Sequence, residues 1–224
     1  VGVHFPGFGE TVITLSDVEI VSNASIVSHA SYSPPDSFAA QVFIGGNWVG
    51  SWSDVKIHAG GMVTNTEDGA RGIIMWGTYQ NMAMTNLDVE MSAYLSGQGD
   101  VIGIDMDVTF ISTTLSHSIF DVSGTLDGPA TGLYMIERFY DESIITNVTF
   151  QMINGVFEDE GGYGIQLFAH DDVNFCGVIL NSSENVKIEY NDLIPSPSPP
   201  PIAIFGSTFE SGTWLDVQFD DYPG

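Results

Sequence analysis

One phrase returns along the chain at intervals of 29 to 37 residues: a small residue or glycine, then apolar-x-apolar. Its copies are Gln41-Val42-Phe43-Ile44, Gly72-Ile73-Ile74-Met75, Gly103-Ile104-Asp105-Met106, Gly132-Leu133-Tyr134-Met135, Gly164-Ile165-Gln166-Leu167 and Pro201-Ile202-Ala203-Ile204. A second phrase, Asp or Asn followed by Val-x-apolar, follows mostly 13 to 15 residues later, and 21 residues later in the unit of Gly164. It reads Asp17-Val18-Glu19-Ile20, Asp54-Val55-Lys56-Ile57, Asn147-Val148-Thr149-Phe150, Asn185-Val186-Lys187-Ile188 and Asp216-Val217-Gln218-Phe219, with Asn86-Leu87-Asp88-Val89 and Ser118-Ile119-Phe120 as looser copies. A third apolar point falls 8 or 9 residues further on, at Ile26, Met62, Leu95, Leu126, Val156 and Leu193.

A fixed period of this length, with three short strands per unit, is the signature of a solenoid. Strand residues alternate between two faces, so the apolar residues of each phrase turn inward and the x positions outward. One coil cannot bury its own core; stacked neighbours bury it. No long run places apolar residues at three-and-four spacing, which excludes an amphipathic helix as the repeating element. Val, Ile, Thr, Phe and Tyr suit pleated strands. The expected fold is all-β: a single-stranded right-handed parallel β-helix of about six to seven coils.

The stretches Gly164-Ile165-Gln166-Leu167 and Ser183-Glu184-Asn185-Val186-Lys187-Ile188-Glu189-Tyr190-Asn191 carry a resemblance to the right-handed parallel β-helix superfamily of pectate lyases, polygalacturonases and phage tailspikes. The resemblance spans residues 12 to 219, concerns architecture and selects no single family.

Residues 1–224 read as one solenoid domain. Polar turns at Asn65–Gly69, Ser96–Asp100, Asp127–Pro129 and Glu158–Gly162 close successive coils at one corner. The proline-rich run Pro195–Pro201 replaces that corner in the last full unit, as an extended excursion. The chain opens on Val1 without a charged leader or apolar signal segment and stops part-way through a unit, so a processed product or a piece of a longer protein is expected.

Charge narrows the partners. There are 29 acidic residues against four basic ones, Lys56, Arg71, Arg138 and Lys187, for a net charge of −25. Such a chain repels nucleic acid and anionic membranes and disfavours polyanionic sugars. No apolar run is long enough to enter a membrane. Cys176 is the only cysteine, which rules out an internal disulfide. Three sequons, at Asn23, Asn147 and Asn181, point to an extracellular, virion-surface or cell-surface location.

Candidate chemistry divides into four groups. Aromatic residues recur seven or eight residues into each unit, at Trp48, Tyr79, Phe110, Phe139 and Phe209, and form either a sugar platform or an internal stack. The less regular Trp52, Trp76 and Trp214 are the candidates for exposed sugar binding. On the first strand the outward positions read Phe43, Ile74, Asp105, Tyr134, Gln166 and Ala203, with Asp107 two residues beyond Asp105. On the second they read Glu19, Lys56, Asp88, Phe120, Thr149, Lys187 and Gln218. A lyase would use Lys56 as base with carboxylates holding a cation; otherwise Glu19, Lys56 and Asp88 form a charge ladder that fixes register. A glycosidase needs two or three carboxylates on one such face, where the first strand offers only Asp105 with Asp107; for an enzyme of either kind the catalytic candidates are Lys56, Asp88, Asp105, Asp171 and Asp172. Asp171-Asp172 is similar to the polygalacturonase aspartate pair, but the Gly-His-Gly and Arg-x-Lys of that family are missing. Glu158, Asp159 and Glu160 offer carboxylates to calcium without EF-hand spacing; no other cofactor is indicated.

The preferred expectation is a non-catalytic, extracellular structural or adhesive solenoid: a surface fibre, virion appendage or filament subunit. Its partners are other copies or fibre subunits meeting the solenoid ends, and polysaccharide. The alternative is a polysaccharide lyase or glycoside hydrolase.

Overall fold

The computed structural model describes residues 2–29, 39–140, 143–152, 154–158, 163–170, 173–176, 178–182, 187–192, 202–205, 208–209 and 217–219. Every described element is a strand, and every recorded pairing is parallel. The chain is a β-solenoid of about four regular turns, fewer than the six to seven expected from the phrases. Leu193, the run Pro195–Pro201 and most of the loop 28–38 lie outside the described residues.

The first phrase forms one continuous ladder, with Val42, Ile73, Ile104, Leu133 and Ile165 in register coil upon coil. All five are buried. The second phrase stacks Ile57, Val89, Phe120, Phe150 and Leu180, again buried, with Phe120 and Phe150 face to face at 5.1 Å. A separate five-stranded sheet carries the third point. Its inward column is Ile26, Val63, Leu95, Leu126 and Phe157. Met62 and Val156 therefore sit one residue off the expected column. Each fully buried aliphatic or aromatic residue contributes about 1.5–3 kcal/mol through lost water contact.

Three further differences have physical causes. From Val101 onward a coil carries four strands, because Ser112, with φ 47°, breaks the long strand before Thr114–Ser116. Ile119, not Phe120, occupies the outward position beside Asp88 and Thr149. Near the C-terminus the register moves: Ile188 lies beside Ile165, and Ile202-Ala203-Ile204 lies beside Val178-Ile179-Leu180 rather than on the first ladder. Glu189, not Ala203, is thus the register partner of Gln166.

The polar member of the second phrase explains itself at the corner. Asp17, Asp54, Asn86, His117 and Asn147 all have φ between 51° and 55°. Asp and Asn tolerate this left-handed region best among residues with a side chain. Their side chains bond between coils: Asn86 Nδ2 donates to Asp54 Oδ1 at 3.0 Å, and Asn147 Nδ2 lies 3.3 Å from His117 Nε2. Where the phrase has Ser118 in place of Val, the buried hydroxyl donates to the Ser116 carbonyl and accepts from the Leu87 N–H.

Of the recurrent aromatics, Trp48, Tyr79 and Phe110 are internal. Phe5 stacks on Trp48 at 5.4 Å, and edge-on contacts link Trp48, Trp52, Tyr79 and Phe110 at 5.7 to 6.1 Å. Phe139 keeps the backbone register beside Phe110. Burial pushes the Tyr79 phenol far above its ordinary pKa. No described helix is long and apolar enough to cross a membrane.

Candidate functional site

The outward face of the first ladder gathers the most varied chemistry. Its central column runs His4, Phe43, Ile74, Asp105, Tyr134, Gln166. Two residues further along the strands lies the column Gly45, Trp76, Asp107. Alternation of the strand puts both columns outside, while Ile73 and Met75 turn into the core.

Trp76 is 51 % exposed on this face. Its neighbour one coil away is Gly45, and a Cβ there would stand 2.5 Å from the Phe43 ring. The missing side chain lets Phe43 fold across Gly45 toward the tryptophan column. His4 meets the other side of Phe43 edge-on at 4.9 Å. On the opposite flank Trp76 faces the exposed Asp107 on the next rung.

A charged group fixes the floor beside it. Arg71 Nε donates to Asp105 Oδ2 at 3.0 Å, with the two side chains only 16 % and 18 % exposed. The same guanidinium donates from Nη1 to the Asp100 carbonyl. Burial raises the Asp105 carboxyl; the Arg71 charge and hydrogen bond pull it down without cancelling that rise, and Asp107 and Asp100 add to it. Burial also pushes the Tyr134 phenol up, followed by the charges of Asp105, Asp107 and Asp100. Thr131 Oγ1 donates to Gln166 Oε1 at 2.9 Å at the far end. The face thus offers an aromatic platform, hydroxyl acceptors and a fixed guanidinium within one patch.

The other sequence candidates separate. Lys56 and Asp88 are exposed neighbours on the second ladder, with Glu19 on the other side of Lys56. The bends at Gly46 and Asp54 put them on a different side of the coil from Asp105. Glu19, Lys56 and Asp88 keep the successive-coil register expected of them, and Asp105 is no part of that group. Trp52, expected outside, is 1 % exposed and packs between Trp48 and Tyr79. Trp214, Asp171 and Asp172 lie outside the described residues, as do Asp159 and Glu160. Glu158 is exposed; among the described residues no three His, Cys, Asp or Glu side chains are arranged to hold a metal ion. Asn23 and Asn147 are exposed at corners, and Asn181 lies in the strand Val178–Ser182.

Sequence reasoning singled out Trp76 and set Asp105 and Tyr134 at neighbouring outward positions, but it missed Arg71, which precedes the first phrase by one residue.

Fold and face together define a parallel β-solenoid with an aromatic-and-carboxylate patch on one outer sheet. Comparison with protein-family models, curated proteins and solved structures finds no match.

Proposed function

We propose that this chain is an extracellular adhesive β-solenoid module of a surface fibre, which holds uncharged polysaccharide on the outer face of its first ladder. The observation that carries this reading is Trp76, half-exposed beside Asp107 and the Arg71–Asp105 pair. An indole face receives the apolar side of a sugar ring, and fixed carboxylates accept its hydroxyls. The surrounding carboxylates and the net charge of −25 disfavour polyuronates and sulfated glycans. A kinship with the pectate-lyase-like superfamily is proposed at the level of architecture. Exposure of Asn23 and Asn147 is what N-glycan acceptors require. Other copies of the chain are the proposed partners at the solenoid end, through the strand Val3–Ser22, which pairs on one side only among the described residues.

Affinity electrophoresis through gels containing neutral polysaccharides or polygalacturonate tests the reading. Retardation by at least one neutral polymer, weakened about tenfold or more by Trp76→Ala, is expected; tenfold corresponds to about 1.4 kcal/mol. Absence of retardation in every gel, or retardation indifferent to Trp76→Ala, would sink it. Release of new reducing or unsaturated ends would move the protein to the lyase or hydrolase alternative.

A further inference from the structure

The second ladder holds an arrangement with no part in that reading. His58 directly follows the second phrase of one coil, and Glu90 is its register partner on the next. Ser92 follows Glu90 by two residues, just past the strand Asp88–Met91. Its N–H donates to the Ala59 carbonyl at 2.9 Å, which ties the corner to the coil of His58. The parallel ladder thus sets one imidazole opposite a carboxylate and a hydroxyl. His58 Nδ1 lies 3.3 Å from Glu90 Oε2, and His58 Nε2 lies 3.4 Å from Ser92 Oγ. Each ring nitrogen has its own partner, in the order that nucleophilic catalysis requires: hydroxyl, base, orienting carboxylate.

We propose that Ser92, His58 and Glu90 form a nucleophile–base–carboxylate triad that hydrolyses uncharged carboxylic esters. With the tautomer that carries its proton on Nδ1, His58 donates to Glu90 and presents a free Nε2 lone pair to the Ser92 hydroxyl. Ser92 Oγ attacks the ester carbonyl carbon and forms the Oγ–C bond as its proton passes to His58 Nε2. The ester C–O bond then breaks, and the leaving alcohol takes that proton. Water attacks the acyl carbon, gives a proton to Nε2, and releases the carboxylic acid as the proton returns to Ser92 Oγ. No oxidant or metal enters the balance.

Two neighbours bear on the chemistry. A Cβ at Gly60 would lie 3.0 Å from His58 Nε2 and 2.3 Å from Asn23 Oδ1. Glycine at this corner therefore leaves the approach to Nε2 open, and the Asn23 carboxamide stands over the same gap. Asp88 and Asp121 also belong to this face, Asp121 being the register partner of Glu90. Together with Glu90 their negative charge repels anionic substrates, in keeping with an uncharged ester.

The full chain, treated with a fluorophosphonate, is expected to carry one covalent adduct on Ser92 by peptide mass spectrometry, absent in His58→Ala. p-Nitrophenyl acetate hydrolysis is expected to fall at least tenfold in both Ser92→Ala and His58→Ala, and less in Glu90→Gln. An unlabelled Ser92 in the native protein overturns the triad irrespective of how any variant folds. So does hydrolysis that survives in Ser92→Ala while falling in His58→Ala, which would leave the histidine acting alone. Trp76 lies on the other ladder, so the outcome is independent of polysaccharide binding.

Discussion

Asp121 shows what one residue costs a ladder. It stands outward on the strand Ile119–Val122, with Oδ1 buried and without a hydrogen-bond partner. Burial pushes its carboxyl pKa up, a hydrogen bond from Gln151 pulls it back, and the charges of Glu90 and Asp88 raise it again. A carboxyl whose folded-state pKa exceeds its unfolded value contributes its full stabilisation below the unfolded value, about 3.9. That contribution is lost as pH rises through the folded value. Asp121→Asn cannot ionise and is expected to exceed the wild type in stability at neutral pH, by less than a buried carboxyl would give because solvent screens this half-exposed one. The gap should close in acid, as urea denaturation at both pH values will show; a gap that does not change with pH would assign the effect to packing. Nothing in the pattern of Ser118-Ile119-Phe120 revealed this residue. Two adjacent apolar residues leave the alternation undecided, and a slip of one exchanges the faces. Placing Phe120 outside hid Asp121; the stacking of Phe120 on Phe150 resolves it.

At the scale of the strand, the repeated small residue was legible because its cause is steric and local. A Cβ on Gly72 would lie 2.4 Å from the Gly103 carbonyl oxygen, one on Gly103 would lie 2.5 Å from that of Gly132, and one on Gly132 would lie 2.5 Å from that of Gly164. The glycines let consecutive coils approach, and Met91 and Met152 press on them from across the core. In the earlier coil Gln41 takes this place, and its amide instead bonds the Ala24 and Met62 carbonyls and accepts from Ser22. Gly103→Ala is expected to cost about 2 kcal/mol, because the obstructing atom is backbone and cannot rotate away. A midpoint shift of that size in urea, with the m-value unchanged, is the check. The Asp/Asn corner was legible for a similar reason: a left-handed residue must be small and polar or pay in strain. What the phrases did not carry was the C-terminal register. Apolar-x-apolar serves both ladders alike, so only spacing assigns Ile188 and Ile202 to one or the other. The 21-residue interval after Gly164 marked the place where the spacing failed. The functional face was half legible: an aromatic and a carboxylate stand out singly, but Arg71 with Asp105, or His58 with Glu90, meet only once coil length is known.

For the whole molecule, the proposed end-to-end association of copies is opposed by self-repulsion. The strand Val3–Ser22 bonds Ala39–Ala59 along one edge, and its other edge has no partner among the described residues. Unpaired strand edges template further strands. Val12 on this coil is 76 % exposed, and Val21 and Val27 are also exposed. Yet the same coil carries Glu10, Asp17 and Glu19, within a chain of net charge −25. Copies meeting at this end must therefore bring like charges together, a cost that salt screens over about 10 Å at 0.1 M ionic strength. Association through the end is thus expected to strengthen as salt rises, contrary to complexes held by opposite charges. Light scattering across a salt series should show mass increasing, and Val12→Glu should restore monomers because it adds a further negative charge to the docking edge. Monomers at every salt concentration, or association that salt weakens, would exclude this end as the contact between copies.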